Sequence, residues 1–578
     1  MAFRNRPVLD RKHRPRWQDE LRMQQLLVAG FAVAIAVAVG IFAAAAWSSF
    51  FESNLRQSAL VGGVPVDRSA VITRVNIQAA ELQAKGTDLA ALTGGVNGDR
   101  FSQQLQGIQT ALNQVAQSGA DSLVTGMVLD RRAAEFGLSV TPAAVDAEVD
   151  KRMQIPERRQ LSLIMASPKK PKDAKATDKP TDAAWAEAKQ RIDDLKAQLD
   201  AGGDFAALAK DKSDDGSKSK DGSLGWVQAD DPTYAEYFKA AAKAQTGDVL
   251  GPFRNDAGWY IVRVDGIRPA TENTTLRDLL RGGGVSDEAY RDFVRQELLR
   301  DQYKHYFETK VVTEFEPQRK VAQIVITKDA PGQPGTKLRL RHVLVAPLPG
   351  EPDQSKATAK QWKAALARAR DLRAQLVKPD ASWWELAKQS DDPGTASRGG
   401  SLGWADPGTL NQQFVAEFAA EVLRMDVGDI SQPVKSQFGY HIIQVVDRRT
   451  SVQSFADNLA AELQKNPDAF AAKARDLSDD FTTAGSGGEL GWVLHYQLAT
   501  AADDAIFGLA KPGDVSEAVA TKGEYTIYKL EDAADDRYAT RTARNKAKAG
   551  FSNWIDKLKQ EVGYWLDAEF LPTTTAVG

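Results

Sequence analysis

A chain of 578 residues exceeds what one hydrophobic core organises, and one domain per roughly 150 residues suggests about four. The formal charge of −3 comes with no basic stripe, which excludes a nucleic-acid binder. There is no cysteine, so disulfides, thiolate nucleophiles and Cys-ligated metals are excluded, in keeping with work outside the reducing cytoplasm.

Residues 1–22 form a basic arm carrying Arg4, Arg6, Arg11, Lys12, Arg14, Arg16 and Arg22 against Asp10, Asp19 and Glu20. Residues 23–51 are uncharged, and Leu26 to Trp47 is almost wholly apolar. That matches the about 20 residues a helix needs to cross a bilayer. The positive-inside rule keeps the arm cytoplasmic and puts everything after Trp47 outside, as in a single-pass protein. A cleaved signal peptide is the competing reading, since Ala43 to Ala46 are small, although cleavable apolar cores run only about 7–15 residues.

Residues 61–155 read as the first part of a helical domain. Helical patterns run through about 99–117 and 121–136, and Gly137 stops the second. Thr141 as N-cap with Pro142 behind it starts another helix, to about Met153. Residues 159–166 read as a strand, followed by a Lys/Pro/Asp-rich run that cannot bury apolar surface and reads as a solvated loop. The first copy of a repeat occupies 156–268, inserted into the helical domain, which resumes over 269–335. The second copy covers 336–449. The third, 450–535, shows no opening strand and reads as truncated. An amphipathic helix over 539–570 closes the chain, with Phe551, Trp554, Ile555, Leu558 and Trp565 on a stripe that needs another domain to cover it.

The repeat is a phrase used three times: SDDGSKSKDGSLGW at 213–226, SDDPGTASRGGSLGW at 390–404 and SDDFTTAGSGGELGW at 478–492. It implies one fold built three times, its glycines making turns that pack a tryptophan. Function must come from what differs between copies. In the second, alternation along strand 338–345 puts His342 on the face of Leu338, Leu340 and Leu344, and His441 shares a face with Ile443 and Val445. An unsatisfied buried imidazole costs about 1–3 kcal/mol, and the simplest partner for each is the other.

An opening His-Val-Leu-Val strand, the Ser-Asp-Asp…Gly-Gly-Ser-Leu-Gly centre and a closing Phe-Gly-Tyr-His-Ile-Ile strand resemble the parvulin family of peptidyl-prolyl isomerases. The resemblance implies a compact α+β fold with a four-stranded sheet, no metal and no cofactor. It makes His342 and His441 the paired core histidines, Asp392 the Cys/Asp position and Ser436 the Ser/Thr position beside the second histidine. Leu402, Leu410 and Phe414 would take the proline ring. Such residues suit the reaction: rotation about the amide faces about 18–20 kcal/mol, no bond breaks, and a dry pocket with polar groups favouring the twisted state suffices. Two other readings stand beside it: histidines that only tie the sheet together, and a Ser436–His441–Asp392 hydrolase, for which no nucleophile-elbow motif is present. Aligned by strand, copy one has Ser162 and Tyr260 at the histidine positions. Copy three has Tyr525 at the second and nothing at the first, and its His495 matches neither.

With Gly-Gly-Val-Pro-Val at 62–66 before a helix, Glu-Phe-Gly-Leu-Ser-Val-Thr at 135–141 before another and a Tyr-Arg-Asp-Phe-Val-Arg-Gln-Glu-Leu-Leu helix at 290–299, residues 61–153 and 274–315 resemble the helical region of SurA and PrsA type extracytoplasmic chaperones, in which the C-terminal helix returns to pack on this region. The whole is then an α+β chain with an N-terminal transmembrane helix, a helical SurA-like domain and three parvulin-like modules, one intact and two degenerate. The implied partners are unfolded or newly exported polypeptides with X–Pro bonds, on the outer side of a bacterial cytoplasmic membrane. The rival is a non-catalytic chaperone or scaffold with a vestigial isomerase site.

Overall fold

The computed structural model describes residues 51, 56–92, 98–169, 179–329, 335–379, 381–521 and 523–571. The arm 1–22, the apolar segment 23–50 and most of the Lys/Pro-rich run lie outside them. Among the described residues no helix is long and apolar enough to cross a membrane. The chain divides into two units, Met1–Arg300 with Val562–Pro572 and Asp301–Glu561 with Thr573–Gly578.

In the first unit, strands Gln57–Val61 and Val64–Asp67 form a hairpin, and Tyr564–Leu566 adds to its other edge. The helices Arg68–Ala90, Gly98–Asn113, Val115–Arg132, Pro142–Arg152 and Thr274–Gly282 follow, with the beginning of Asp287–Tyr306. Their core includes Ile77, Ala80, Val145, Leu276, Leu280 and Phe293. Thr141 caps its helix as its sequence predicts, accepting the Ala144 amide at 3.3 Å. The expected break near 118–120 is absent. Gly119 lies inside a helix, where a Cβ would fall 2.8 Å from Val75 Cγ2, so its smallness serves helix contact rather than a turn. Copy one enters and leaves this domain through the antiparallel pair Gln154–Ile155 and Thr271–Glu272, and its Trp226 packs against Leu89, Leu92 and Phe101.

The repeats share one topology, a four-stranded antiparallel sheet ordered turn strand, opening strand, closing strand, short edge strand. Copy one uses Ser223–Gln228, Arg158–Ala166, Trp259–Arg268 and Val249–Arg254. Copy two uses Ser401–Ala405, Lys337–Val345, Gly439–Arg449 and Val434–Ser436. Copy three is not truncated. Its opening strand is Phe315–Thr327, between the turn strand Glu489–Leu494 and the closing strand Glu524–Tyr538, with Val519–Ala520 on the edge. Copy two is therefore inserted into copy three, directly after that copy's first strand.

The predicted 32-residue closing helix is instead two helices, Arg541–Ala549 and Phe551–Val562, followed by the strand Tyr564–Leu566. Gly550 sits at the break, where a Cβ would overlap the Tyr496 carbonyl. Trp554, Ile555 and Leu558 are buried, and Trp554 packs on Phe307 (5.2 Å between centroids) and Tyr303 (5.8 Å). Trp565 is not part of that stripe: it lies on the strand opposite Leu60 and is exposed.

Candidate active site

Each word of the repeated phrase does the same job in all three copies. The serine (Ser213, Ser390, Ser478) accepts a backbone amide of the opening strand, from Met165, Leu344 and Val325 at 3.0, 2.9 and 3.1 Å. The first aspartate accepts the amide two residues further on, from Ser167, Ala346 and Thr327. The second (Asp215, Asp392, Asp480) caps a short helix by accepting an amide two residues ahead. A glycine (Gly222, Gly400, Gly488), at φ +86°, +76° and +89°, offers its carbonyl to the opening strand at Leu163, His342 and Gln323. A Cβ there would collide with the carbonyl of that same residue. The phrase is thus a clasp that fixes the opening strand.

These bonds also set the correspondence between copies. The residue held by the glycine is His342 in copy two, Leu163 in copy one and Gln323 in copy three. Ser162, expected at that position, is one residue off and bonds Asp265 instead, at 2.5 Å. On the closing strand His441 faces Leu344, Tyr260 faces Met165 and Thr526 faces Val325. Thr526 therefore takes the second position in copy three, not Tyr525.

Only copy two has both imidazoles, and they complete a polar chain. His342 Nε2 lies 2.9 Å from Asp392 Oδ2, His342 Nδ1 3.1 Å from His441 Nδ1, and His441 Nε2 2.7 Å from Ser436 Oγ. With Asp392 ionised and both rings neutral, one proton arrangement satisfies every group: His342 Nε2–H donates to the carboxylate, His441 Nδ1–H to His342 Nδ1, and the Ser436 hydroxyl to His441 Nε2. Thr395 adds a 2.6 Å bond to the same Asp392 oxygen, and Ser436 Oγ accepts the Phe438 amide at 3.1 Å. The hydrogen bond from His342, helped by Thr395 and Gly394, holds Asp392 well below the usual carboxylate range. Burial, with His342 adding, pushes His441 down to about 3.

The chain lies against an apolar floor. Phe418 stands edge-on to both rings, 5.9 Å from His342 and 5.4 Å from His441, with Phe414 stacked on it at 4.9 Å. Leu410 is buried, Leu402 and Phe414 are half-buried, and all three pack in one cluster with Phe418, Ile443 and Val445. The sheet's other face, Val343, Val345 and Ile442, is covered by the helix Ala359–Leu376 and Trp383. The structure therefore brings together all seven expected residues. It adds Thr395, which the three-residue spacing from the cap Asp392 signals, and Phe418, on the helix Ala416–Val422. A hydrolase does not fit: Asp392 bonds His342, whereas a triad needs it on His441, and Ser436 is buried.

In copy one, Leu163 offers Asp215 no donor, and Tyr260 packs edge-on against Tyr237 at 5.0 Å. In copy three, Gln323 Nε2 bonds Asp480 at 2.9 Å, so an amide occupies the imidazole's seat. At the spacing from Gly428 that gives Phe418, Gly513 gives Asp503. That carboxylate is buried and bonds His495 Nδ1 at 2.9 Å, so His495 is satisfied away from any such chain.

A four-stranded antiparallel sheet with a carboxylate–imidazole–imidazole–hydroxyl chain over an aromatic floor defines a parvulin-type isomerase. The description of the PPIC-type PPIASE domain matches the chain over residues 164–266, 342–447 and 445–532, together just over half of it. The chain belongs to this family of peptidyl-prolyl isomerases. It is 27% identical over 410 residues to the chaperone SurA of Chromohalobacter salexigens, covering 69% of this chain and 74% of that one. It is also 27% identical to the chaperone SurA of Nitrosococcus oceani, with 50% and 74% covered. A crystal structure of a PpiC-type isomerase domain is 27% identical and covers 20% of this chain and 94% of that one, with a TM-score of 0.16. PrsA from Bacillus anthracis is 19% identical, with 40% and 95% covered and a TM-score of 0.17.

Proposed function

We propose that copy two alone catalyses cis–trans isomerisation of X–Pro bonds in polypeptides that the rest of the chain holds. In this reading Leu402, Leu410, Phe414 and Phe418 strip water from the amide and grip the ring. His342, Asp392, Ser436 and His441 favour the twisted amide over both planar forms. Copies one and three brace. The observation that carries the reading is the unbroken Asp392–His342–His441–Ser436 chain, present in one of three copies otherwise built alike.

The SurA relatives are chaperones by name, which supports a chaperone role in the folding of exported polypeptides. The uncharged residues 23–51 behind a basic arm support a single-pass anchor, with the bulk of the chain outside a bacterial cytoplasmic membrane. The test measures proline isomerisation by the chain from residue 56 onward, with and without His441→Ala. Acceleration that depends on His441 is expected. Acceleration by neither protein, with aggregation of an unfolded client still suppressed, would instead favour the scaffold with a vestigial site.

A further inference from the structure

A groove of about 1030 Å³ lies between copies two and three, within the second unit. It is continuous with the isomerase site, since Thr395 and Leu402 line it, and Lys328 and Phe481 of copy three line it too. Arg449, at the end of the copy two closing strand, is also in its wall. An arginine toward the end of the closing strand stacks on the repeated tryptophan in every copy: Arg268 on Trp226, Arg449 on Trp404 and Arg537 on Trp492, at 4.4, 4.2 and 3.9 Å. Stacking accounts for the residue type but not for what is peculiar to copy two. Arg268 is exposed and Arg537 half-buried, whereas the Arg449 side chain is 2% exposed. Its Nη2 donates to Asp329 at 2.6 Å, while Nε and Nη1 find no acceptor among the described residues. Buried donors of that kind call for an explanation.

The rest of the groove has the same bias. Its carboxylates are already engaged: Asp329 by Arg449, Asp406 by Lys337 at 3.1 Å, and Asp479 by Arg339. Lys328 and Arg398 have no carboxylate partner among the described residues. Arg398 lies over the Phe481 ring at 5.0 Å and gives only Nε to the Gly394 carbonyl. The groove thus presents positive charge and unmatched N–H groups.

We propose that this groove is a client subsite that takes an acidic side chain of the same polypeptide whose X–Pro bond sits in the isomerase pocket. It rests on the catalytic reading of copy two, and it gives copy three a role in substrate choice. The sequence places no cationic cluster after the opening strand, where Glu351 and Asp353 stand instead, so an acidic client is received here and not there.

The test uses the chain from residue 56 onward and X–Pro peptides that differ only in carrying Glu, Gln or Lys at one to four residues on either side. At one or more placements kcat/KM for the Glu peptide is expected to exceed that for Gln and Lys by about tenfold, the scale of a charge-assisted hydrogen bond. The preference should shrink as salt rises. In Arg449→Met and in the half-buried Arg398→Gln the Glu-to-Gln ratio should fall toward one, the second variant carrying the test if the first misfolds. Equal rates for Glu, Gln and Lys at every placement, or a preference that survives both substitutions, overturns the proposal. If no peptide is isomerised the catalytic reading fails, and the groove is then judged by fluorescence anisotropy: tighter binding of the Glu peptide supports it, and equal binding overturns it.

Discussion

His441 ties the stability of copy two to pH. In the unfolded chain its imidazole titrates near the ordinary 6.5, while in the fold burial and His342 push it down to about 3. Between these values the unfolded chain binds a proton that the folded chain refuses, so stability falls as pH drops through the window. From pH 7 to pH 5 the loss from this group is about 2 kcal/mol, at about 1.4 kcal/mol per unit once the unfolded imidazole is charged. Asp392 does not contribute in that interval. Its depressed carboxyl adds stability above about pH 4 and loses it only below. The perturbation is His441→Gln, which removes the titration while the other histidines stay. The assay is urea unfolding of the chain from residue 56 onward at pH 7 and pH 5, read by protease susceptibility of peptides from 337–449. The parent should lose about 2 kcal/mol more than the variant between the two pH values. Equal losses would mean that His441 is not held neutral in the fold, and the proton arrangement drawn above would fall with it.

Gly400→Ala should destabilise copy two by about 1–3 kcal/mol and depress isomerisation, because a Cβ at φ +76° drives against the His342 carbonyl. Gly488→Ala should destabilise copy three similarly in urea unfolding yet leave the short-peptide rate near that of the parent. Trp554→Ala should cost about 3–5 kcal/mol through the lost packing on Phe307 and Tyr303, without altering the chemistry on a short peptide. The double variant Gln323→His, Thr526→His should restore two imidazoles to copy three but confer no second active site. Asp503 stands where Phe418 makes the floor, so a His441→Ala background carrying both changes should remain inactive. Recovery of activity there would show that the floor is dispensable.

How much of this was legible in the sequence follows from how local each signal is. Strand alternation placed His342, His441 and their apolar neighbours on one face, and the phrase around Asp392 sits beside them, so the site could be read before any fold was known. The opening strand of copy three could not. Phe315–Thr327 pairs with Glu489–Leu494 and Glu524–Tyr538 across the whole of copy two, and nothing in a linear reading tells a displaced strand from a missing one. Alternation also leaves a strand free to slip by one residue until its partner is fixed, which is why Ser162 and Tyr525 stood in for Leu163 and Thr526.

The same comparison limits what a single residue can argue. An aspartate occupies the Asp392 position in all three copies because it caps the same short helix, so its presence alone says nothing about catalysis. Copy three goes further, seating an amide and a threonine on Asp480 as copy two seats an imidazole and a threonine on Asp392. The clasp is therefore common property of the fold. What sets copy two apart is the conjunction of two imidazoles in register with Phe418 beneath both rings. The two imidazoles and Phe418 come from different elements, the two central strands and the helix Ala416–Val422, so strand register and the packing of that helix on the sheet together set the distance between them.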